Sequence, residues 1–154
     1  MAKKLIGKSA NGFEVYVIVD DEHMLAHKNV TESLISEAVS MVDYNPTYWI
    51  GEVEMGRVIG LDGCVETHPG DDVRMETRPG RKLPSRVVYN RLPVPTTILT
   101  VGICTDPDDG IVTVFTAFPG KLSPKEPSDP RLKDEERPEA EAFWASHALV
   151  ADGQ

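Results

Sequence analysis

Two runs of apolar and β-branched residues, 96–105 and 111–118, are the clearest pattern along the chain. Runs of this length that are bounded by turn residues are typical of buried β-strands. The connecting segment DPDDG ends in Gly110, at the position of a tight turn that takes a positive φ angle. The pattern therefore predicts a β-hairpin.

An earlier apolar run, FEVYVIV at 13–19, predicts another buried strand, and the polar residues 20–30 follow it. Thr31 is a suitable N-cap for a helix that we expect to run to about Asp43. Asn45–Pro46 ends this helix, because a proline disfavours helical geometry in the residue before it. The apolar residues of the helix fall on one face: Leu34, Ile35, Ala38, Val39 and Val42.

Shorter and less regular alternations predict strands within 48–60, 73–77 and 85–89, with a turn at Pro79–Gly80. Residues 119–137 are rich in proline and charge and are expected to form an exposed loop.

Pro138 suits the first turn of a closing helix over 138–149. We therefore predict an α+β fold, in which one long helix in the N-terminal half, an antiparallel sheet of about four to six strands and the closing helix form a single domain over residues 1–154. Residues 1–12 are expected to be flexible.

Composition is that of a folded protein: 154 residues, 40% hydrophobic and 27% charged. The formal net charge of −9 argues against a general nucleic-acid coat protein, because such binding neutralises many phosphates. No run of about 20 apolar residues predicts a membrane helix, and the basic N-terminus lacks the apolar run of a signal peptide. A cytoplasmic location is the expectation.

The strongest candidate for chemistry is the basic strip, which we define as residues 74–91. It carries six basic side chains and one acid, which leaves a formal charge of +5 in an acidic protein. Arg78, Arg81 and Arg86 flank the predicted turn and enter a strand, and guanidinium groups suit bidentate binding of phosphate. The strip predicts a site for an anion, a phosphate-bearing ligand or RNA; the alternative is a solvated face paired with nearby acids.

The histidines offer two further hypotheses. His23 and His27 have the spacing of a metal-ligand pair on a helix, with Asp20, Glu22 or Cys64 as a third ligand, or they are simply solvent-exposed. His147 is either a general acid or base, or a residue that packs against the aromatic pair before it.

Several other signatures are weak or absent. Cys64 and His68 form only a loose pair, and Cys64 and Cys104 are expected to be buried thiols in a reducing compartment, with a disulfide as the alternative. The chain has neither a glycine-rich phosphate loop nor a nucleophile elbow. No cofactor or metal is predicted, and the oligomeric state is left open.

Six short motifs stand in the last two thirds of the chain: GRVIG (56–60), CVE (64–66), RPGR (78–81), SRVV (85–88), TAFPG (116–120) and FWASHALV (143–150). Together they resemble a small bacterial and phage family whose function is not settled, over about residues 50–150. The order of elements is also similar to that of the metal-independent toxin ribonucleases of the barnase, colicin and RelE types.

The ribonuclease resemblance implies RNA cleavage through attack of the ribose 2′-OH. It assigns proton transfer to His68 and His147, and it assigns stabilisation of the phosphate to Arg78, Arg81 and Arg86, with Thr116 nearby. The competing hypothesis is a non-catalytic module whose arginines meet an acidic partner protein. An enzyme needs a histidine or carboxylate within reach of the arginines in a concave pocket, whereas a module can present them on an open face.

Overall fold

The computed structural model describes residues 2–19 and 30–151 of the chain. Over these residues the content is mixed α and β, and strands predominate. The strands are β1 (Lys3–Lys8), β2 (Glu14–Ile18), β3 (Tyr48–Glu54), β4 (Gly60–Asp62), β5 (Cys64–Glu66), β6 (Val73–Glu76), β7 (Ser85–Val88), β8 (Val94–Thr96), β9 (Ile98–Thr105), β10 (Val112–Pro119) and β11 (His147–Val150). The helices are α1 (Glu32–Val39), a 3-10 turn (Asp134–Glu136) and α2 (Arg137–Trp144).

The chain forms two compact units, each made of two segments. Unit 1 comprises Met1–Gly60 and Pro95–Leu122, and unit 2 comprises Leu61–Val94 and Ser123–Gln154. The sequence predicts a single domain, and no linker or shift in composition marks the boundaries of the two units.

Unit 1 contains a five-stranded sheet in the order β1-β2-β10-β9-β3. Most neighbours are antiparallel, but β10 runs parallel to β2, so the sheet is mixed and not purely antiparallel as predicted. The predicted hairpin is confirmed as β9 and β10, and Gly110 has the expected positive φ of 71°. Valines and other aliphatic side chains of β2, β9 and β10 form the centre of the core.

Helix α1 buries its predicted apolar face against this sheet. The Thr31 side chain accepts a hydrogen bond from the Leu34 backbone N–H at 3.1 Å, which confirms the N-cap. The helix ends at Val39, one turn before the predicted end at Asp43, and the Ser40 hydroxyl donates to the Glu37 carbonyl there.

Unit 2 contains a four-stranded sheet in the order β5-β11-β7-β6. β11 is antiparallel to β5 and parallel to β7, and β6 is antiparallel to β7. A small apolar cluster lies on this sheet, formed by Val65, Val73, Val88, Ala148 and Val150. The remaining strands β4 and β8 form a two-stranded sheet.

The prediction of a helix over 138–149 is wrong in its last third. Helix α2 ends at Trp144, and residues 147–150 form β11 between β5 and β7. Ala148 and Val150 are buried and alternate with half-buried neighbours, which is the period of a strand. Pairing on both sides of β11 satisfies its backbone, and this tertiary gain outweighs local helix propensity.

Two further expectations are corrected. Residues 3–8, expected to be flexible, form β1 because they pair with β2 along its length. The predicted exposed loop 119–137 begins as the end of β10, and it contains buried side chains at Glu126, Ser128, Asp129 and Leu132.

Over residues 2–19 and 30–151, no helix has the length and apolar character needed to span a bilayer.

Candidate functional site

The basic strip follows the edge of the unit 2 sheet. It begins in β6, turns at Pro79–Gly80 and returns along β7. Gly80 has a φ of 80°, and the Arg81 backbone N–H donates to the Arg78 carbonyl, so the predicted turn is confirmed. The turn brings Arg78 and Arg81 to the same side of the sheet end.

Arg78 and Arg81 converge on one carboxylate oxygen. Nη1 of Arg78 donates to Oε2 of Glu126 at 2.8 Å, and Nη1 of Arg81 donates to the same atom at 2.5 Å. Arg81 also donates to the Ser128 hydroxyl, which in turn bonds the Ser85 hydroxyl at 3.1 Å. Arg78 and Arg81, which the sequence predicts to bind an external anion, therefore bind the Glu126 carboxylate of the same chain.

Glu126 is 8% exposed, and the two oxygens of its carboxylate differ sharply in their partners. Oε2 accepts both arginine bonds, whereas Oε1 is buried and has no hydrogen-bond partner among the described residues. A buried oxygen without a donor is costly, so only the two charge-assisted bonds explain why this carboxylate stays inside.

Arg86 differs from the other two arginines. Its Nε donates to the His147 carbonyl at 3.1 Å, and its Nη2 donates to the Thr67 hydroxyl at 3.3 Å. Within the described chain it forms no ion pair with a carboxylate. Its charge is oriented by neutral groups and is not neutralised by an acid.

The remaining arginines of the basic strip pair with local acids. Arg74 binds Asp72 at 2.9 Å and lies over the Tyr89 ring, 4.4 Å from its centroid. Arg91 binds Asp71 at 2.9 Å. The backbone N–H of His68 and the charge of Arg91 hold the pKa of Asp71 below its ordinary value.

Beside Arg86 lies a cavity of about 220 Å³ in unit 2. Its walls are largely apolar and include three charged residues. The lining residues are Met75, Pro84, Ser85, Arg86, Glu126, Pro127, Glu141, Trp144 and Ala145. The Trp144 indole N–H donates to the Pro124 carbonyl at 3.0 Å, which fixes the ring that forms one wall.

The two histidines that were assigned proton transfer have different surroundings. The His147 ring stacks on Phe143, with centroids 3.9 Å apart, and its Nδ1 lies 2.8 Å from the Phe143 carbonyl. His68 is exposed after β5, where its backbone N–H donates to Asp71 at 2.7 Å. Neither lines the cavity. His23 and His27 lie outside the described residues.

Thr116 lies in β10 of unit 1 and is 9% exposed, whereas the three candidate arginines and both described histidines belong to unit 2. Its predicted role beside a phosphate stays a prediction.

The two cysteines are free and half-buried. Burial raises the pKa of the Cys64 thiol to about 11 and also raises the pKa of Cys104. The Ser123 hydroxyl lies 3.8 Å from Sγ of Cys64. Across the described ranges, no group of three or more histidine, cysteine or acidic residues is arranged to hold a metal ion.

No sequence pattern points to Glu126, and Trp144 is expected only to pack, as one of the two aromatic residues before His147. Glu126 stands in a proline-rich, charged segment whose composition is typical of an exposed loop, and it is 45 residues away from Arg81. No local pattern signals an ion pair of that separation. The solitary tryptophan of the C-terminal segment was the one available signal for an aromatic wall.

Comparison with known proteins identifies the fold alone. No family model matches the chain, and no curated protein matches it. A crystal structure of a conserved hypothetical protein from Toxoplasma gondii ME49 is similar, with a TM-score of 0.54 at 16% sequence identity. The similarity covers 88% of this chain and 94% of that chain. The resemblance to bacterial and phage proteins and to toxin ribonucleases stays a prediction.

Proposed function

We propose that unit 2 is a binding module for a small organic anion that has an apolar body. One observation carries the proposal: Arg86 lines an apolar cavity and has no acidic partner among the described residues. A guanidinium held by neutral acceptors keeps its full charge for a ligand. The apolar walls would cover the rest of that ligand.

The charges around the cavity favour a small anion over a nucleic acid. Two acids, Glu126 and Glu141, line the cavity with Arg86. Both already have arginine partners, Arg78 and Arg81 for Glu126 and Arg137 for Glu141, so the six side chains together carry a formal charge of 4 − 2 = +2. A cavity of about 220 Å³ is smaller than most sites for drug-sized ligands, which begin at roughly 300 Å³. A carboxylate or phosphate monoester on a short aliphatic or aromatic body fits both limits.

Trp144 allows this binding to be measured directly. In a Trp49→Phe background, Trp144 is the sole tryptophan, because the chain has two. We expect saturable changes in its fluorescence with hexanoate, benzoate and phenyl phosphate. Inorganic phosphate and benzyl alcohol, which each supply only half of the recognition, should bind at least about tenfold more weakly.

Two matched variants test the anchor. Arg86→Ala should weaken benzoate binding by roughly tenfold or more, because one charge-assisted hydrogen bond is worth about 1.5–3 kcal/mol. Arg74→Ala removes an exposed arginine of the same sheet that already pairs with Asp72, and it should leave binding unchanged. Circular dichroism of Arg86→Ala separates lost binding from lost fold. Equal binding of benzoate and benzyl alcohol would contradict the proposal.

Ribonuclease activity stays a prediction, and it has its own assay. Purified protein is incubated with mixed RNA with and without EDTA, beside His147→Ala and Arg81→Ala. Cleavage that persists in EDTA and disappears in both variants would replace the binding module by a metal-independent ribonuclease. Intact RNA would favour the binding module.

A further inference from the structure

Strand β6 lies at the open edge of the unit 2 sheet. It pairs with β7 in the register Val73↔Val88 to Glu76↔Ser85, and the Tyr89 N–H donates to the Asp72 carbonyl in the same ladder. In an antiparallel ladder, alternate residues direct their N–H and C=O groups toward the partner strand. Since the backbone carbonyl of Asp72 faces β7, the N–H and C=O groups of Val73 and Met75 point away from the sheet.

This edge is uncovered. The Met75 residue is 58% exposed, and the neighbouring Arg74 side chain is 60% exposed. The outward N–H and C=O groups of Val73 and Met75 have no hydrogen-bond partner within the described chain. An exposed edge of this kind is a template for pairing with another strand.

The charges along the edge identify which strand would pair best. Residues 72–78 read Asp-Val-Arg-Met-Glu-Thr-Arg. The charges are antisymmetric about Met75: Arg74 on one side mirrors Glu76 on the other, and Asp72 mirrors Arg78. An antiparallel copy of the same segment, related by a two-fold axis through Met75, would therefore set every charge opposite its complement.

We infer that β6 is a self-association edge, at which a second copy of this chain adds its own β6 antiparallel across a two-fold axis at Met75. The Met75 backbones of the two copies exchange N–H···O=C bonds at the centre. Arg74 of each copy then lies opposite Glu76 of the other, in a non-hydrogen-bonded pair where side chains are closest. The interface is isologous and closes as a dimer.

Other registers of the same two strands are disfavoured by charge. A slip of two residues in one direction sets Arg74 against its own copy, and a slip in the other direction sets Glu76 against its own copy. A parallel, in-register arrangement sets every charge against its like. A slip of one residue places the outward N–H and C=O groups of one copy opposite backbone groups of the other copy that already bind its own β7. Like charges directly opposite each other destabilise a strand pair.

Charge-reversal variants test this pairing. Sedimentation velocity over a range of protein concentrations, at about 0.15 M salt to screen the net charge of the chain, should show a monomer–dimer equilibrium. Arg74→Glu and Glu76→Arg each set like charges opposite each other and should raise the dimer dissociation constant roughly tenfold or more. An equimolar mixture of the two variants restores both opposite-charge pairs, and its dimer fraction should return to that of the unmodified chain.

A backbone variant tests the hydrogen bonds separately. Met75→Pro removes an outward N–H that the fold does not use, and proline is tolerated on edge strands. It should abolish association. Met75→Ala keeps the N–H and should weaken association much less. A monomer at every concentration, or a dimer that survives both charge reversals and Met75→Pro, would overturn the inference. The two charge variants leave Arg86 and the cavity lining unchanged, so their outcome is independent of the anion-binding module. Met75 lines that cavity, so the two Met75 variants report on association alone.

Discussion

At the scale of single residues, Glu126 organises the basic end of unit 2. The carboxylate is buried, and the Arg81 side chain that binds it is only 20% exposed. The Arg78 side chain is 39% exposed, so water screens its share of the interaction. The Arg81–Glu126 pair therefore contributes more to the stability of this end of the sheet than the Arg78–Glu126 pair.

Replacing Glu126 tests this difference. Glu126→Ala leaves the half-buried Arg81 guanidinium without a carboxylate partner, and it should lower the free energy of unfolding by about 1–3 kcal/mol. Asp72→Ala breaks the exposed pair with Arg74 and serves as the control, with a much smaller effect expected. Urea denaturation measures both. The double variant Arg81→Ala/Glu126→Ala should lower the free energy of unfolding by less than the sum of the two single variants, because the two side chains interact.

At the scale of elements, a lysine on β1 forms ion pairs with the hairpin loop between β9 and β10. Nζ of Lys3 lies 2.7 Å from both Asp106 and Asp109, and the Lys3 side chain is 10% exposed. Hydrogen bonds from this ammonium hold the pKa values of Asp106 and Asp109 below their ordinary value of 3.8. The neighbouring Lys4 binds Glu32 while remaining 58% exposed.

Lys3→Met should therefore lower the melting temperature at neutral pH more than Lys4→Met does. A carboxyl whose pKa is lowered by folding stabilises the protein above its unfolded pKa, and this contribution disappears as the pH falls through the folded pKa. The difference in melting temperature between Lys3→Met and the unmodified chain should therefore shrink below pH 3.8. A difference that stays constant into acid would show that the ammonium–carboxylate bonds do not stabilise the strand.

At the scale of the whole molecule, each unit carries one free thiol: Cys104 in unit 1 and Cys64 in unit 2. Burial raises both pKa values, to about 11 for Cys64. The thiolate is the reactive form, so neither thiol should react readily at neutral pH. Each cysteine thus reports the opening of its own unit.

We expect iodoacetamide at about pH 8 to modify the native chain slowly and the urea-unfolded chain rapidly at both cysteines, because unfolding returns each thiol to an ordinary pKa of about 8.5. Mass spectrometry after proteolysis assigns each modification. Cys64→Ser and Cys104→Ser, each of which leaves a single thiol, provide the controls. Rapid modification of native Cys64 would contradict its burial.

Local sequence patterns determined the elements whose signals are complete within one segment. The hairpin of β9 and β10, strand β2, the turn at Pro79–Gly80 and the Thr31 cap each depend on residues a few positions apart. The mixed α+β class follows from these elements, and the sequence also singled out the basic strip because charge can be counted without a fold.

Only the tertiary structure decided what depends on residues far apart in the chain. β11 is a strand and not the end of a helix because β5 and β7, some 60 or more residues earlier, satisfy its backbone. Arg78 and Arg81 share a carboxylate partner while Arg86 has none among the described residues, because Glu126 folds back onto the first two. Pairing and burial energies belong to neighbours in space, and no local pattern encodes which distant segment those neighbours come from.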